Sequence, residues 1–539
     1  MINWVSLMVS FVDKILGGEE ATEKELPLPN EIPQPEVKKF NYKDLLAALI
    51  ILAIAVIPRL LYMFYFSNPN FTGWYTDVFH HWQIAFLSKE IGFHQGFLRL
   101  WDFKGMEFFW GLLHPLVLVI LFYLTGSISI WIPRLLSIGG GALSIVLLFF
   151  LMRRYFNQAT AWATVALATF FPLTLFSNAA GMQEELAMPF LLGGMLLWPS
   201  SPVLIGLLFA LASMVRAEYW LFALGLAFST LFFSKTRDKA LVLILSYLFF
   251  VGIYMKYLVN YTGNWIYPIY WNFLASVKGE WLLDLPVVGE KLIAQTISRG
   301  IFAFGVVGAL ITLIKRSKHM LLFLYGFGNI IFIGFMVGFG SYVKGYISRF
   351  WVDRLYNWPY LFTMMLIVVV LFYYLPKLAG RLAMTVYVFS WLILLTGLVA
   401  SQAMWIPINS FMKPVAAIYE SEKYWAAQIA GAYRGGTVLL PEDRSYITYF
   451  LAHDYQIPGK NMQGQMFDPF FYFEDKENPF SNWGEEREIV LDWLKRDNIK
   501  LLVLTTPKAT YQGLIDREPD LFHKLPSDTA ILLYEVNAK

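Results

Sequence analysis

Long apolar stretches separated by short polar ones occupy the chain from residue 45 to residue 404. A membrane-spanning helix needs roughly 20 mainly apolar residues, and a helix packed inside a bundle needs fewer. The pattern therefore predicts a polytopic α-helical membrane protein with about eleven spans. We expect these spans near residues 45–66, 132–152, 158–176, 183–198, 200–215, 219–233, 240–259, 300–314, 320–340, 358–375 and 382–404.

The two ends of the chain show different patterns. In residues 1–44, apolar positions at helical spacing precede a charged, proline-rich stretch. This predicts a cytoplasmic amphipathic helix with a linker, although a frayed tail fits the pattern nearly as well. After residue 405 the apolar stretches shorten to strand length in TVLLP, KLLVLTT and AILLYEV, and the helical pattern GEEREIVLDWLKRDN lies among them. Residues 406–539 are therefore predicted to form a small soluble α/β domain.

The basic residues predict which side of the membrane each loop occupies. In one register of the spans, the four strongly basic loops share a side with Lys38 and Lys39. By the positive-inside rule that side is cytoplasmic, so a multi-pass protein of the cell membrane is expected, with its α/β domain outside. This register requires that the apolar run 108–124 does not cross the membrane. It is predicted to form a half-embedded helix in a long first outer loop, residues 67–131.

Composition narrows the chemistry that the chain can carry. The chain is 57% hydrophobic and only 15% charged, and it contains no cysteine. The absence of cysteine excludes a disulfide framework, a thiolate metal site and a cysteine nucleophile. The net charge of +3 gives no reason to expect a nucleic-acid partner.

Three polar groups interrupt the apolar pattern on the predicted outer side. They are FTGWYTDVFHHWQ at residues 71–83, WDFKG at 101–105 with Glu107 after it, and SNAAGMQEE at 177–185. Carboxylates held in apolar surroundings at a membrane boundary are costly. They could bind a metal that holds a phosphate, supply a general base, or be ordinary solvated loop acids, and Asp77 could also cap a helix. Their convergence on one face favours a functional site.

The order of these motifs resembles the GT-C superfamily of integral-membrane glycosyltransferases, which use polyprenyl-phosphate-linked sugars. Arg59 stands where the family has an arginine late in its first span, and Asp77 stands at the essential acid of the first outer loop. GLLHPLVLVILFYLTG at 111–126 resembles the family's half-embedded helix, and the arginine-led stretch 132–156 resembles its next span. Residues 171–190 correspond to its second acidic site. The resemblance implies a GT-C-like membrane module over residues 45–405.

The sequence does not assign one subfamily. Residues 171–190 and WDFKG most resemble the catalytic subunit of oligosaccharyltransferase, while protein mannosyltransferase and aminoarabinose transferase share the general arrangement. However, the turn has Gln-Glu-Glu at 183–185 instead of an Asp-x-Asp or Asp-x-Glu pair. Asp77 is followed by valine rather than glutamate, and the tail signature Trp-Trp-Asp-Tyr-Gly is missing. The resemblance therefore implies the superfamily alone.

The resemblance also implies roles for individual residues. Asp77 is expected to be the catalytic base, and basic residues of the loop 340–358 are expected to pair with the lipid phosphate. The residues expected to contact the donor or the acceptor are His80, His81, Asp102, Lys104, Glu107, His114, Glu184, Glu185, Arg349 and Arg354.

The expected reaction is transfer of a sugar from a polyprenyl-phosphate donor to a glycan, lipid or protein acceptor on the outer face. An inverting single displacement requires no cofactor. A metal-dependent en bloc transferase similar to oligosaccharyltransferase is the alternative, and it would hold Mg²⁺ or Mn²⁺ at Asp77, Glu184 and Glu185. A lipid-linked sugar transporter or flippase is an alternative of another class, and it predicts charges near the midplane and repeated halves.

Overall fold

The computed structural model describes residues 41–71, 77–92, 110–232, 236–270, 296–297, 299–301, 303–308, 310–311, 357–441, 444–465, 469–472, 480, 482–505 and 509–537. In chain order the α-helices used below are α1 (Tyr42–Leu61), α2 (Asp77–Ile91), α3 (Leu113–Thr125), α4 (Trp131–Tyr155), α5 (Gln158–Phe170), α6 (Pro172–Ala180), α7 (Glu184–Leu197), α8 (Pro202–Val215), α9 (Glu218–Ser229), α10 (Arg237–Thr262), α11 (Asn357–Val369), α12 (Leu375–Ala379), α13 (Ala383–Ser401), α14 (Trp405–Ala432), α15 (Ser445–His453), α16 (Trp483–Arg496) and α17 (Ala509–Arg517). The strands are β1 (Thr437–Leu440), β2 (Met462–Gly464), β3 (Ile499–Leu504), β4 (Phe522–Leu525) and β5 (Leu532–Val536).

Two of the long apolar helices occupy opposite places in the bundle. Helix α1 begins with a capping box between Asn41 and Asp44 and continues as a π-helical turn to Phe66. In the 18-residue apolar part of α1 and its π-helical extension, only 22% is buried inside the protein, whereas 67% of the corresponding part of α4 is buried. Helix α1 therefore lies at the edge of the bundle, with leucine side chains facing outward, and α4 lies at its centre.

Helices α5 to α9 are shorter than the apolar stretches that predict spans there. Helices α5 and α6 meet at a bend of 61°, where Pro172 occupies the first turn of α6. Helix α6 ends at Gly181, whose φ of 91° is left-handed and favours glycine. Helices α7, α8 and α9 contain 14, 14 and 12 residues. At a rise of about 1.5 Å per residue each is about 18–21 Å long, less than the roughly 30 Å hydrocarbon core.

The prediction of about eleven spans is not confirmed. Within the residues that the structure describes, four helical stretches are long and apolar enough to cross a membrane, or five if α5 and α6 form one bent span. The predicted span 320–340 and much of 300–314 lie outside the described residues. The predicted spans 358–375 and 382–404 belong to one helical stretch, Asn357–Ala432. That stretch runs through the expected domain boundary at residues 405–406.

The described part of the first outer loop contains two helices that pack together. Helix α3 covers much of the apolar run 108–124 and has 13 residues, fewer than the roughly 20 of an ordinary spanning helix. Its half-embedded placement stays a prediction. Helix α3 packs on α2, and the segment after α3 accepts a hydrogen bond at the Ile128 carbonyl from the Trp82 indole, 2.5 Å long. The sidedness of this loop stays a prediction.

The chain after α14 forms a five-stranded mixed sheet in the order β2-β1-β3-β5-β4. Strand β1 is parallel to β2 and β3, while β5 is antiparallel to β3 and β4. The apolar face of α16 covers the sheet through Val490, Trp493 and Leu494. Strands β1, β3 and β5 and helix α16 agree with the sequence patterns. Strands β2 and β4 are additional, because a three-residue strand and a half-polar one leave no apolar run.

Aromatic contacts join this C-terminal region to α2. The Phe79 ring lies 4.6 Å from the Tyr446 ring, and the Trp82 ring lies 4.9 Å from the Tyr449 ring, between centroids. The Tyr449 hydroxyl also accepts a hydrogen bond from the backbone N–H of Ile130, 3.3 Å long. Helix α15 therefore packs directly against α2.

Candidate active site

A buried arginine forms ion pairs with acidic side chains of α7 and α9. Arg216 follows the last residue of α8 and has an extended backbone conformation. Its Nη1 lies 2.8 Å from Glu184 Oε1, and its Nε donates to Glu218 Oε2 over 2.7 Å. Arg216 and Glu184 are each only 5% exposed. Burial lowers the pKa of Arg216, but Glu218, Glu184 and Asp77 together hold that pKa above its ordinary value.

The neighbouring Glu185 is held by different partners. Asn357, at the start of α11, donates from Nδ2 to Glu185 Oε1 over 3.2 Å. The Asn357 Oδ1 accepts from the Thr174 hydroxyl, 2.7 Å away, so the amide joins three helices. Arg59 of α1 interacts electrostatically with Glu185 and donates from Nε to Asn178 Oδ1 over 2.7 Å. Both carboxylates of the acid pair are thus fixed in a buried polar network.

Two glycines let α4 approach this network directly. A Cβ on Gly140 would lie 2.3 Å from the Glu185 carbonyl oxygen, and a Cβ on Gly141 would lie 2.3 Å from Asn178 Oδ1. Real side chains do not fit at such distances. The sequence IGGGA in α4 therefore sets the position of the first turn of α7, which carries both glutamates.

Arg134 ties the start of the first outer loop to the end of α6. Its Nε donates to the Ala179 carbonyl over 2.8 Å, and its Nη1 donates to the carbonyls of Asn68 and Pro69 over 2.9 and 2.8 Å. A Cβ on Gly181 would lie only 3.1 Å from the Val78 side chain. The residue after Asp77 therefore packs against the turn that precedes Glu184.

Asp77 begins α2 and is partly buried. It interacts electrostatically with Arg216, with His80 and with Tyr446 of α15. Arg216 therefore lies within electrostatic reach of Asp77 as well as of Glu184. The structure therefore brings together the polar groups at residues 71–83 and 177–185. Asp77 is the partly exposed acid among them.

The rings of three histidines lie close to one tryptophan ring. The His81 ring is 4.4 Å from the Trp110 ring and 5.1 Å from the His114 ring, and the His80 ring is 5.9 Å from Trp110, between centroids. Burial lowers the pKa of His80 to about 3, against the opposing effect of Asp77. His80 is therefore neutral at neutral pH, and it acts as a hydrogen-bonding group and not as a cation.

Some predicted site residues lie outside the described part of the chain, and some residues of the site were not predicted. Asp102, Lys104, Glu107, Arg349 and Arg354 lie outside the residues that the structure describes. Among the described residues, the sequence reasoning did not identify three that organise the site. One signal was available, because an arginine and a glutamate two residues apart separate two apolar helices in SMVRAEYW. The missed residues are Arg134, Arg216 and Asn357.

The expected metal ligands do not fit a divalent cation as they are arranged. Among the described residues, no three His, Asp or Glu side chains form a group that could hold a metal, and this includes Asp77, Glu184 and Glu185. The Glu184 carboxylate faces the Arg216 guanidinium instead. A hard cation needs several oxygen ligands that converge on one point.

Comparison with known proteins identifies the fold. No protein-family model matches the sequence, and no curated protein sequence is similar to it. The structure is similar to that of ArnT from Cupriavidus metallidurans in the apo state, with 14% identity and a TM-score of 0.50 over 92% of this chain and 98% of that chain. It is also similar to the Archaeoglobus fulgidus oligosaccharyltransferase tethered with an acceptor peptide containing the NVT sequon, with 13% identity and a TM-score of 0.49 over 92% of this chain and 74% of that chain. Both are GT-C glycosyltransferases. The likeness to ArnT shows the fold, and the predicted GT-C fold is confirmed.

Proposed function

We propose that this GT-C-fold protein is a membrane glycosyltransferase that moves a sugar from a polyprenyl-phosphate-linked donor to an acceptor hydroxyl on the outer face. The single observation that carries the proposal is the position of Asp77. It is partly exposed at the start of α2 and lies within electrostatic reach of Arg216, which pairs with two buried or partly buried acids. The motif order along the chain and the fold shared with ArnT support the same reaction class.

In the proposed mechanism Asp77 is the general base. Its carboxylate accepts the proton of the acceptor hydroxyl as the oxygen attacks the anomeric carbon of the donor sugar. The bond between that carbon and the phosphate oxygen breaks, and the polyprenyl phosphate leaves with the bonding electron pair. A single displacement of this kind inverts the anomeric configuration, and every atom and charge is accounted for without a further reactant.

The developing charge on the departing phosphate needs a cation close to it. Arg349 and Arg354 are proposed for this task because a guanidinium pairs with two phosphate oxygens at once. Arg216 has a different proposed role, since its fork is already engaged by Glu184 and Glu218. It is proposed to position Asp77 through the electrostatic attraction between the two side chains.

The other predicted contacts remain part of the proposal. Glu184 is ion-paired and Glu185 is hydrogen-bonded inside the bundle, so both are proposed to position the site more than to touch the sugar. His80 and His81 follow Asp77 by three and four residues on α2, so they share its face of the helix, and the neutral His80 ring is suited to sugar hydroxyls.

The proposal is tested by donor consumption in proteoliposomes. A panel of labelled polyprenyl-phosphate sugars is offered with crude membrane acceptors to wild type, Asp77→Asn and Glu90→Gln. Glu90 lies at the far end of the same helix and pairs with Lys89 at the surface, which makes it a matched control. Loss of the general base is expected to lower the turnover number by about 10²–10⁴-fold, and Glu90→Gln should retain wild-type turnover.

Each result of this experiment has a defined meaning. Transfer by wild type and Glu90→Gln that disappears in folded Asp77→Asn supports the assignment. Equal transfer by Asp77→Asn and wild type removes Asp77 from the mechanism. Movement of an intact donor across the bilayer, without consumption of any donor, contradicts the transferase and favours a flippase.

A further inference from the structure

Two carboxylates contact one buried guanidinium in the candidate active site, and a third acts on it electrostatically. We call Asp77, Glu184 and Glu218 the acid cluster. Two of its members contact Arg216 within 2.8 Å, and Asp77 interacts with it electrostatically. The three acids come from α2, α7 and α9, so the contacts join separate parts of the fold. A single positive side chain is thus shared by acids from three separate helices.

The geometry of Arg216 makes it a substitute for such a cation. Its planar fork presents five N–H donors, and its charge persists at any physiological pH. The contacts occupy both sides of the fork, since Nη1 faces Glu184 and Nε faces Glu218. Gln183, with its amide oxygen turned toward Nη1, accepts a further hydrogen bond of 3.0 Å. A dication entering here would meet a fixed positive charge in a medium of low dielectric constant.

We infer that Arg216 is a built-in cation that takes the place of a divalent metal ion in the acid cluster, so that the site operates without one. The inference deepens the proposed function, because Arg216 is then the positioning residue for Asp77. It also accounts for the orientation of Glu184, in the turn at residues 183–185, toward a guanidinium.

The first test measures metal binding directly and does not depend on activity. Mn²⁺ binding to the purified full-length protein is followed by electron paramagnetic resonance, for wild type, Arg216→Met and Arg216→Met with Glu184→Gln. Removing the guanidinium frees the Glu184 and Glu218 carboxylates that it pairs with, and freed carboxylates can turn toward an added hard cation. Arg216→Met is expected to gain one Mn²⁺ site, at least about tenfold tighter than any wild-type binding, and the double variant should lose it.

A matched control removes an arginine from a single acid. Arg153→Met breaks the 2.7 Å pair with Asp44 near the other end of α4, where one carboxylate alone cannot form a metal site. This variant should gain no Mn²⁺ binding. Gain of a site in both arginine variants, or in neither of them when both are folded, would overturn the inference.

The second test uses wild type, so it holds even if Arg216→Met does not fold. One Mn²⁺ bound by wild type and lost in Glu184→Gln would refute the inference, while no such site supports it. In the transfer assay, EDTA should change wild-type turnover by less than about twofold, and Arg216→Lys should retain more turnover than Arg216→Met because it keeps the charge but not the fork. If no donor is consumed by any variant, the proposed function fails while the Mn²⁺ measurements still decide on Arg216.

Discussion

The contact between α4 and the acid pair gives a sharp prediction for Gly140→Ala. The added methyl carbon would lie 2.3 Å from the Glu185 carbonyl oxygen and 2.9 Å from its carbonyl carbon, where ordinary contacts begin at 3.4 Å. Both opposing atoms belong to helix backbone and cannot rotate away. The two helices must therefore separate by about 1 Å in an interior packed as densely as a crystal.

The size of the effect follows from two opposing terms. Overpacking a well-packed interior costs about 1–3 kcal/mol. Replacing glycine by alanine inside a helix raises the free energy of unfolding by up to about 1 kcal/mol, because alanine has the higher helix propensity. We therefore expect a net loss of about 1–2 kcal/mol in the free energy of unfolding. The same movement shifts Glu184 away from Arg216, and a misplacement of about 1 Å can lower turnover about 10²-fold.

The neighbouring glycine is the control. A Cβ on Gly139 meets no atom within 4 Å, so Gly139→Ala gains the same propensity without the clash. Thermal unfolding in detergent and sugar transfer are measured for both variants. Gly140→Ala should unfold at a lower temperature than wild type and transfer more slowly, and Gly139→Ala should match or exceed wild type in stability. If the two variants behave alike, the close approach does not set the position of the acid pair.

Two further predictions concern the C-terminal contact and pH. Arg444→Met removes the 3.2 Å ion pair of the fully buried Glu422 carboxylate, so the free energy of unfolding should fall by about 1–3 kcal/mol. Arg496→Met removes an exposed pair and should lower the free energy of unfolding by about 0–1 kcal/mol. Equal melting temperatures for the two variants would contradict this. Because the pKa of His80 falls from 6.5 to about 3 on folding, the unfolded chain takes up a proton first as pH falls. Folded stability should drop by up to about 2 kcal/mol between pH 7 and pH 5, and this part of the drop should vanish in His80→Phe but not in the surface control His453→Phe. Identical pH slopes for His80→Phe and wild type would refute the burial argument.

Local sequence patterns predicted much of the fold. The apolar runs located the long helices Trp131–Tyr155 and Arg237–Thr262 within a few residues, and the shortened runs located β1, β3 and β5. The order of short motifs pointed to the GT-C fold, which the likeness to ArnT confirms. These features depend on neighbours along the sequence, and neighbours are what a sequence displays.

The number of spans could not be read in the same way. Hydropathy treats α7, α8 and α9 as three apolar runs of spanning character, yet each ends after 12 to 14 residues. Their ends coincide with polar residues that find partners inside the bundle, above all Glu184 and Arg216. Hydropathy averaged along a stretch of sequence does not detect such partners, because it gives the same value to a paired charge and to an unpaired charge.

By itself the sequence determined that this chain is a membrane protein, that carboxylates stand at the ends of apolar runs, and that Asp77 and the turn at 183–185 are candidates for one site. Only the tertiary structure decided that Arg216 stands beside both, and that Asn357, 172 positions away, holds Glu185. The physical reason is the range of the interactions. Apolar periodicity acts between adjacent turns, whereas a buried charge is stabilised by whichever partner the packing of distant helices brings within about 3 Å.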